Sequence, residues 1–138
     1  MVTARRKARE LALQLLYQLD FSEEDWEAAA ALFLQEQRAS AQVKAYCMKL
    51  VQGVWDQKKR IDDLMEKLSE HWRLPRMAQV DRNILRLSAY ELLHCPDVPE
   101  KVAINEAIEL GKKFGSDDSS AFINAILDRV RLSRGEAS

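Results

Sequence analysis

The sequence predicts an all-α protein, a compact bundle of about six to seven helices. Three observations predict it. Leu occurs 18 times and Ala 17 times, against one Thr, four Gly and three Pro, a composition that favours helices over strands. Apolar residues recur at helical spacing almost from end to end. Capping and breaking residues fall between the apolar stripes. At 138 residues the chain is one domain, or two small halves sharing a core, and is long enough to fold without disulfides or a structural metal.

The first helix is expected from about Thr3 to Asp20, with Ala8, Ala12, Leu15, Leu16 and Leu19 on one stripe. Ser22 reads as the next N-cap, with Glu23, Glu24 and Asp25 in a first turn whose dipole favours acids. Trp26, Ala29, Ala30, Phe33 and Leu34 follow as a second stripe. Ser40 is the next cap. From Val43 through Leu50, Val54, Ile61 and Leu68 the apolar phase hardly drifts, which leaves one long helix or two joined near Gln57-Lys58. Pro75 closes this region, and Arg73-Leu74-Pro75 is the candidate hinge between an N-terminal half of about 1–72 and a C-terminal half of about 76–133. From about Met77 to His94 apolar residues occupy more than one face, the mark of a central helix. Pro99 suits a helix first turn. Val102, Ala103, Ala107, Leu110 and Phe114 mark the next helix. Gly115-Ser116-Asp117-Asp118 is a stop and a cap before the last stripe, Ile123, Ile126, Leu127 and Val130.

Several function classes are disfavoured. No run approaches the ~18–20 apolar residues that span a bilayer, so no membrane role is expected, and the basic start lacks a signal-peptide pattern. A cytoplasmic location follows as the expectation. Cys47 and Cys95 form no CxxC pair and read as free structural thiols. His71 and His94 share no helix face with metal ligands, and the phosphate-loop and nucleophile-elbow motifs are missing. The numerous carboxylates read as solvated helix surface. No cofactor is implied, and an enzyme is not expected.

The charge is informative. The net charge is −1, yet the first ten residues hold four cations (Arg5, Arg6, Lys7, Arg9) and one acid, Glu10. Cations at a helix N-terminus oppose its dipole. Arg5 and Arg9, at i and i+4, share a face with Arg6 beside them, and guanidiniums suit phosphate oxygens. Specific recognition of single-stranded RNA also needs an aromatic platform. Phe122, about 100° from the last helix's stripe, lies at its edge. Asp118 at i−4 shares that face and could accept from a base amino group.

These features resemble the NusB family of bacterial transcription antitermination factors. The resemblance rests on Ala4-Arg5-Arg6-Lys7-Ala8-Arg9-Glu10 with Ala12, Leu16 and Tyr17, and on Val80-Asp81-Arg82-Asn83-Ile84-Leu85-Arg86-Leu87 with Tyr90-Glu91-Leu92. Its most specific stretch is Pro96-Asp97-Val98-Pro99 leading to Val102-Ala103-Ile104-Asn105-Glu106-Ala107-Ile108-Glu109-Leu110. Phe114-Gly115, Asp118-Ser119 and Phe122-Ile123-Asn124 complete it. The family likeness implies two helical subdomains packed roughly at right angles. It implies pairing with NusE, a small ribosomal subunit protein, and binding of boxA RNA in nascent ribosomal RNA transcripts, which nucleates an antitermination complex on RNA polymerase. By position it implies RNA contacts at Arg5, Arg6, Arg9, Asp118 and Phe122, and a NusE surface at Tyr17 and Asp81. Lys7 stands where members often carry arginine, and Ala121 where some carry a basic residue. Two further readings come with the likeness. One is a NusB-like domain preceding an RNA cytosine methyltransferase, disfavoured by a chain that ends at Ser138. The other is a helical homodimer.

Overall fold

The computed structural model describes residues 3–22, 25–69 and 77–136. The hinge expected at Arg73-Leu74-Pro75 and the first-turn acids Glu23 and Glu24 lie outside the described residues. Among those described there are six helices and no strand: α1 (Ala4–Asp20), α2 (Trp26–Gln35), α3 (Ala41–Leu68), α4 (Gln79–His94), α5 (Glu100–Phe114) and α6 (Ser119–Glu136).

The termini follow from local chemistry where the capping residue is of the right type. Thr3 Oγ1 accepts from the Arg6 N–H at 3.1 Å and Ser40 Oγ from the Val43 N–H at 3.2 Å, each satisfying a helix-start donor. The Ser22 N–H donates to the Leu19 carbonyl at 3.2 Å, closing α1, and the N-cap of α2 is Asp25, three residues after the expected Ser22. α3 is one unbroken helix of 28 residues, which settles the alternative left open at Gln57-Lys58. Pro99 takes the N-cap position of α5, one residue before the first turn.

α4 is the central element, packing against α1, α3, α5 and α6. Ile84, Leu85, Leu87 and Ala89 are wholly buried on it, and each large aliphatic chain so buried contributes about 1.5–3 kcal/mol. One core cluster draws on all six helices, with Leu15, Ala30, Leu50, Ile84, Ala107 and Leu127 among its members. The Tyr90 ring of α4 lies over Gly53 of α3, where a Cβ would come within 2.0 Å of its Cζ.

α4 also buries charge. Arg86 forks onto Asp62, with Nε and Nη2 each 2.8 Å from a carboxylate oxygen, and its Nη1 donates to Asn83 at 3.1 Å. Asp20 accepts from Asn83 at 2.8 Å. These polar groups survive inside a helix surrounded by protein because each has a partner.

Candidate functional site: one face of the first helix

The first turn of α1 places its arginines against three different acids. Arg5 donates from Nη2 to Asp97 Oδ2 at 2.8 Å, and its guanidinium lies 4.7 Å from the centre of the Tyr46 ring. Arg6 forks onto Glu106, with Nε and Nη2 each 3.0 Å from an oxygen. Arg9 forks onto Glu91 at 2.8 and 2.9 Å. The hydrogen bond from Arg5 holds Asp97 below the usual carboxylate range, and the same bond raises Arg5 above its ordinary value. The acids also answer the unfavourable dipole that a cationic helix start creates.

The three arginines are not equivalent. Arg5 and Arg6 keep 47% and 42% of their side-chain surface exposed, whereas Arg9 keeps 4%. Arg9 therefore departs from the expected solvent-facing donor. It shares the Tyr46 side of α1 with Arg5, as the i, i+4 spacing predicts, but lies one turn deeper. There Tyr46 covers it, and the Tyr46 hydroxyl donates to Glu91 Oε2 at 2.6 Å. Burial opposes the Arg9 charge, and the Glu91 hydrogen bonds and charge outweigh it, so Arg9 lies above its ordinary value. Burial, aided by Glu91, pushes the Tyr46 phenol well above its usual range. Glu91, only 1% exposed, corrects the expectation that the carboxylates are solvated. Its signal was present: an acid between Tyr90 and Leu92 on a helix apolar on most sides needs a buried cation. Tyr46 gave no such signal.

Two of the cavities along α1 set its two ends apart. The first, about 300 Å³, is walled by Arg6 and Glu10 of α1 and by Glu106 and Lys113 of α5, and a Lys113–Glu10 pair at 2.9 Å bridges it. The second, about 240 Å³, is lined by Leu13, Gln14, Tyr17, Val80 and Phe114. Tyr17 and Phe21 meet edge to face at 5.1 Å beside it and are exposed. From Arg6 to Tyr17 the helix rises about 16 Å, so a charged site and an apolar one share one helix. Phe21 belongs to the apolar patch although no pattern in the sequence singled it out.

Asp81 and the α5–α6 turn meet at the far end of this face. Asp81 is half-buried rather than a solvated acid, and its Oδ1 accepts from Ser119 Oγ at 2.7 Å. Gly115 caps α5, its N–H donating to the Gly111 carbonyl at 2.9 Å, and the Ser116 N–H donates to Ser119 Oγ at 2.9 Å. Asp118 is exposed in the turn. Phe122, half-buried, rests against the core at the edge of the α6 stripe, where its 100° offset put it. The structure thus brings Asp81 and the turn before Asp118 together, and on α1 it directs Arg6 to Glu106 of α5 while Arg5 and Arg9 lie by Tyr46 of α3. Among the described residues no cluster of three metal-ligating side chains occurs, and no helix is long and apolar enough to cross a membrane.

Comparison with known proteins adds relatives. The NusB family model matches residues 6–131. A transcription antitermination protein NusB of Anaeromyxobacter sp. (strain Fw109-5) is 50% identical over 131 residues, covering 94% of this chain and 91% of the relative. A solved T. maritima NusB superposes with a TM-score of 0.87 at 38% identity, over 96% of this chain and 93% of that one. A crystal structure of the antitermination factors NusB and NusE in complex with dsRNA superposes with a TM-score of 0.85 at 25% identity, over 96% of this chain and 99% of that one.

Proposed function

This chain belongs to the NusB family, and on that premise we propose that it is a transcription antitermination factor that works as a heterodimer with NusE. The pair binds boxA RNA in nascent ribosomal RNA transcripts and nucleates an antitermination complex on RNA polymerase. The chain acts by binding, catalyses no reaction, and works in the cytoplasm. The observation that carries this reading is that α1 presents exchangeable cations at one end and an exposed aromatic patch at the other.

Each end has a task suited to its chemistry. Arg5 and Arg6 are held by carboxylates at hydrogen-bond distance and half exposed. An RNA phosphate offers the bidentate acceptor geometry that Glu106 gives Arg6 and the single acceptor that Asp97 gives Arg5, so binding exchanges one anion for another. Arg9 supports this arm from below and does not face RNA. Phe122 and Asp118 supply base contacts: the ring edge for stacking, the carboxylate for an exocyclic amino group. NusE docks over Tyr17, Phe21 and the Val80–Asp81 edge of α4, an apolar centre with a polar rim.

The test is a gel shift with boxA RNA and a scrambled control, with and without NusE, at two salt concentrations. The expected result is preference for boxA that NusE strengthens, with affinity falling as salt rises. Equal, weak binding of both RNAs with no effect of NusE refutes the reading. Replacing Arg5 and Arg6 by alanine should flatten the salt slope by up to about 1.4.

A further inference from the structure

We propose that Ser119 is a positioning residue that ties the partner face to the RNA-contacting turn, so that docking of NusE at Asp81 sets the turn that carries Asp118. The inference rests on the functional reading above and adds a residue which that reading does not use.

Ser119 is 1% exposed, and its hydroxyl is fully engaged. It donates to Asp81 Oδ1 at 2.7 Å, accepts from the Ser116 N–H at 2.9 Å, and lies 3.2 Å from the Ser116 hydroxyl. A hydroxyl has one proton and two lone pairs, so the three contacts exhaust it. Asp81 is on α4; Ser116 and Ser119 flank Asp117 and Asp118. One atom thus joins the first turn of α4 to both ends of the connection between α5 and α6.

The connection is built around this atom. A Cβ on Gly115 would lie 2.4 Å from Ser119 Oγ and 2.7 Å from its Cβ. Gly115 has φ −96°, open to any residue, so the glycine is required for space and not for backbone conformation. Ser119 opens α6, and alanine there would leave the Ser116 N–H without its acceptor and remove the hydrogen bond to the Asp81 carboxylate, the stronger of the two.

The consequence is mechanical. Asp81 has a second oxygen for a partner, while its first is anchored to Ser119. A partner that fixes the Asp81 carboxylate fixes Ser119, and with it the backbone on which Asp118 sits and the helix start from which Phe122 projects. A partner bonded to Asp81 stabilises this closed tie, and RNA that binds the same closed turn is positively coupled to the partner.

The test measures boxA affinity with and without NusE and takes the ratio, for the wild-type chain, Ser119→Ala, Ser119→Thr and Gly115→Ala. Ser119→Ala is expected to reduce the ratio about five-fold or more, with RNA affinity of the chain alone changing less. Ser119→Thr, which keeps the hydroxyl, should restore it. Gly115→Ala disturbs the same atom from the turn side and should reduce the ratio independently, so the test survives if one variant fails to fold. A wild-type ratio in both Ser119→Ala and Gly115→Ala overturns the inference while leaving the antitermination reading intact. A wild-type chain that binds no boxA RNA with NusE overturns both.

Discussion

Removing Arg9 should cost more stability than removing any other arginine of the arm. Its guanidinium and the Glu91 carboxylate are paired at 2.8 and 2.9 Å with almost no solvent access. Arg9→Ala leaves Glu91 charged and buried with only the Tyr46 hydroxyl to answer it. Breaking a buried pair in this way costs about 3–5 kcal/mol. For a chain of 138 residues the unfolding entropy is about 0.29 kcal/mol per kelvin, so the midpoint of thermal unfolding, followed by circular dichroism, should fall by roughly 10–17 °C. Arg5→Ala, at an exposed pair, should shift it far less. The combined change Arg9→Met, Glu91→Leu and Tyr46→Phe removes all three polar groups together and should recover most of the loss. A midpoint within a few degrees of wild type for Arg9→Ala, or a triple variant no more stable than Arg9→Ala, would refute the assignment of Arg9 to the core. The triple variant also separates two roles: if it folds and keeps boxA affinity, Arg9 is a support and not an RNA donor.

Three other outcomes are expected. Asp97→Asn and Glu106→Gln each free a guanidinium of the arm, and should raise affinity for boxA and scrambled RNA alike by up to about five-fold in a low-salt titration. A drop in affinity would mean that the acids position the arginines rather than compete for them. Tyr17→Ala with Phe21→Ala should weaken NusE binding in calorimetry by at least ten-fold, since exposed aromatic pairs anchor interfaces, without lowering the unfolding midpoint. Burial pushes the Cys47 thiol from 9.0 up to about 12, so the folded state holds its proton where the unfolded state loses it. That contribution to stability is intact below pH 9 and declines as pH rises toward 12; Cys47→Ala should flatten this decline in alkaline denaturation curves.

The legible part of the molecule is the part governed by local rules. Ser40 announces its helix because a side-chain oxygen three residues before an amide is a local interaction, and the same rule accounts for Thr3. The unbroken phase from Val43 to Leu68 is a property of one segment, and so is the all-round apolarity of α4. The N-cap of α2 falls at Asp25 and not at Ser22, whose amide closes α1. The site divides in the same way. Arg5, Arg6 and the edge position of Phe122 follow from spacing. The depth of Arg9, the burial of Glu91 and the anchoring of Asp81 depend on residues 82 and 38 positions away, distances over which periodicity carries no information.

Among the described residues every ion pair that α1 makes is with the C-terminal half: Arg5 with Asp97, Arg6 with Glu106, Arg9 with Glu91, Glu10 with Lys113 and Asp20 with Arg86. During synthesis at about 5–20 residues per second, Glu91 follows Arg9 by 82 residues, a delay of roughly 4–16 s. The ion pairs of α1 are therefore completed only after its apolar face has met α3. Until the final third of the chain emerges, its cations have no internal acids to hold them, and they lie within reach of the most abundant polyanion nearby, ribosomal RNA itself.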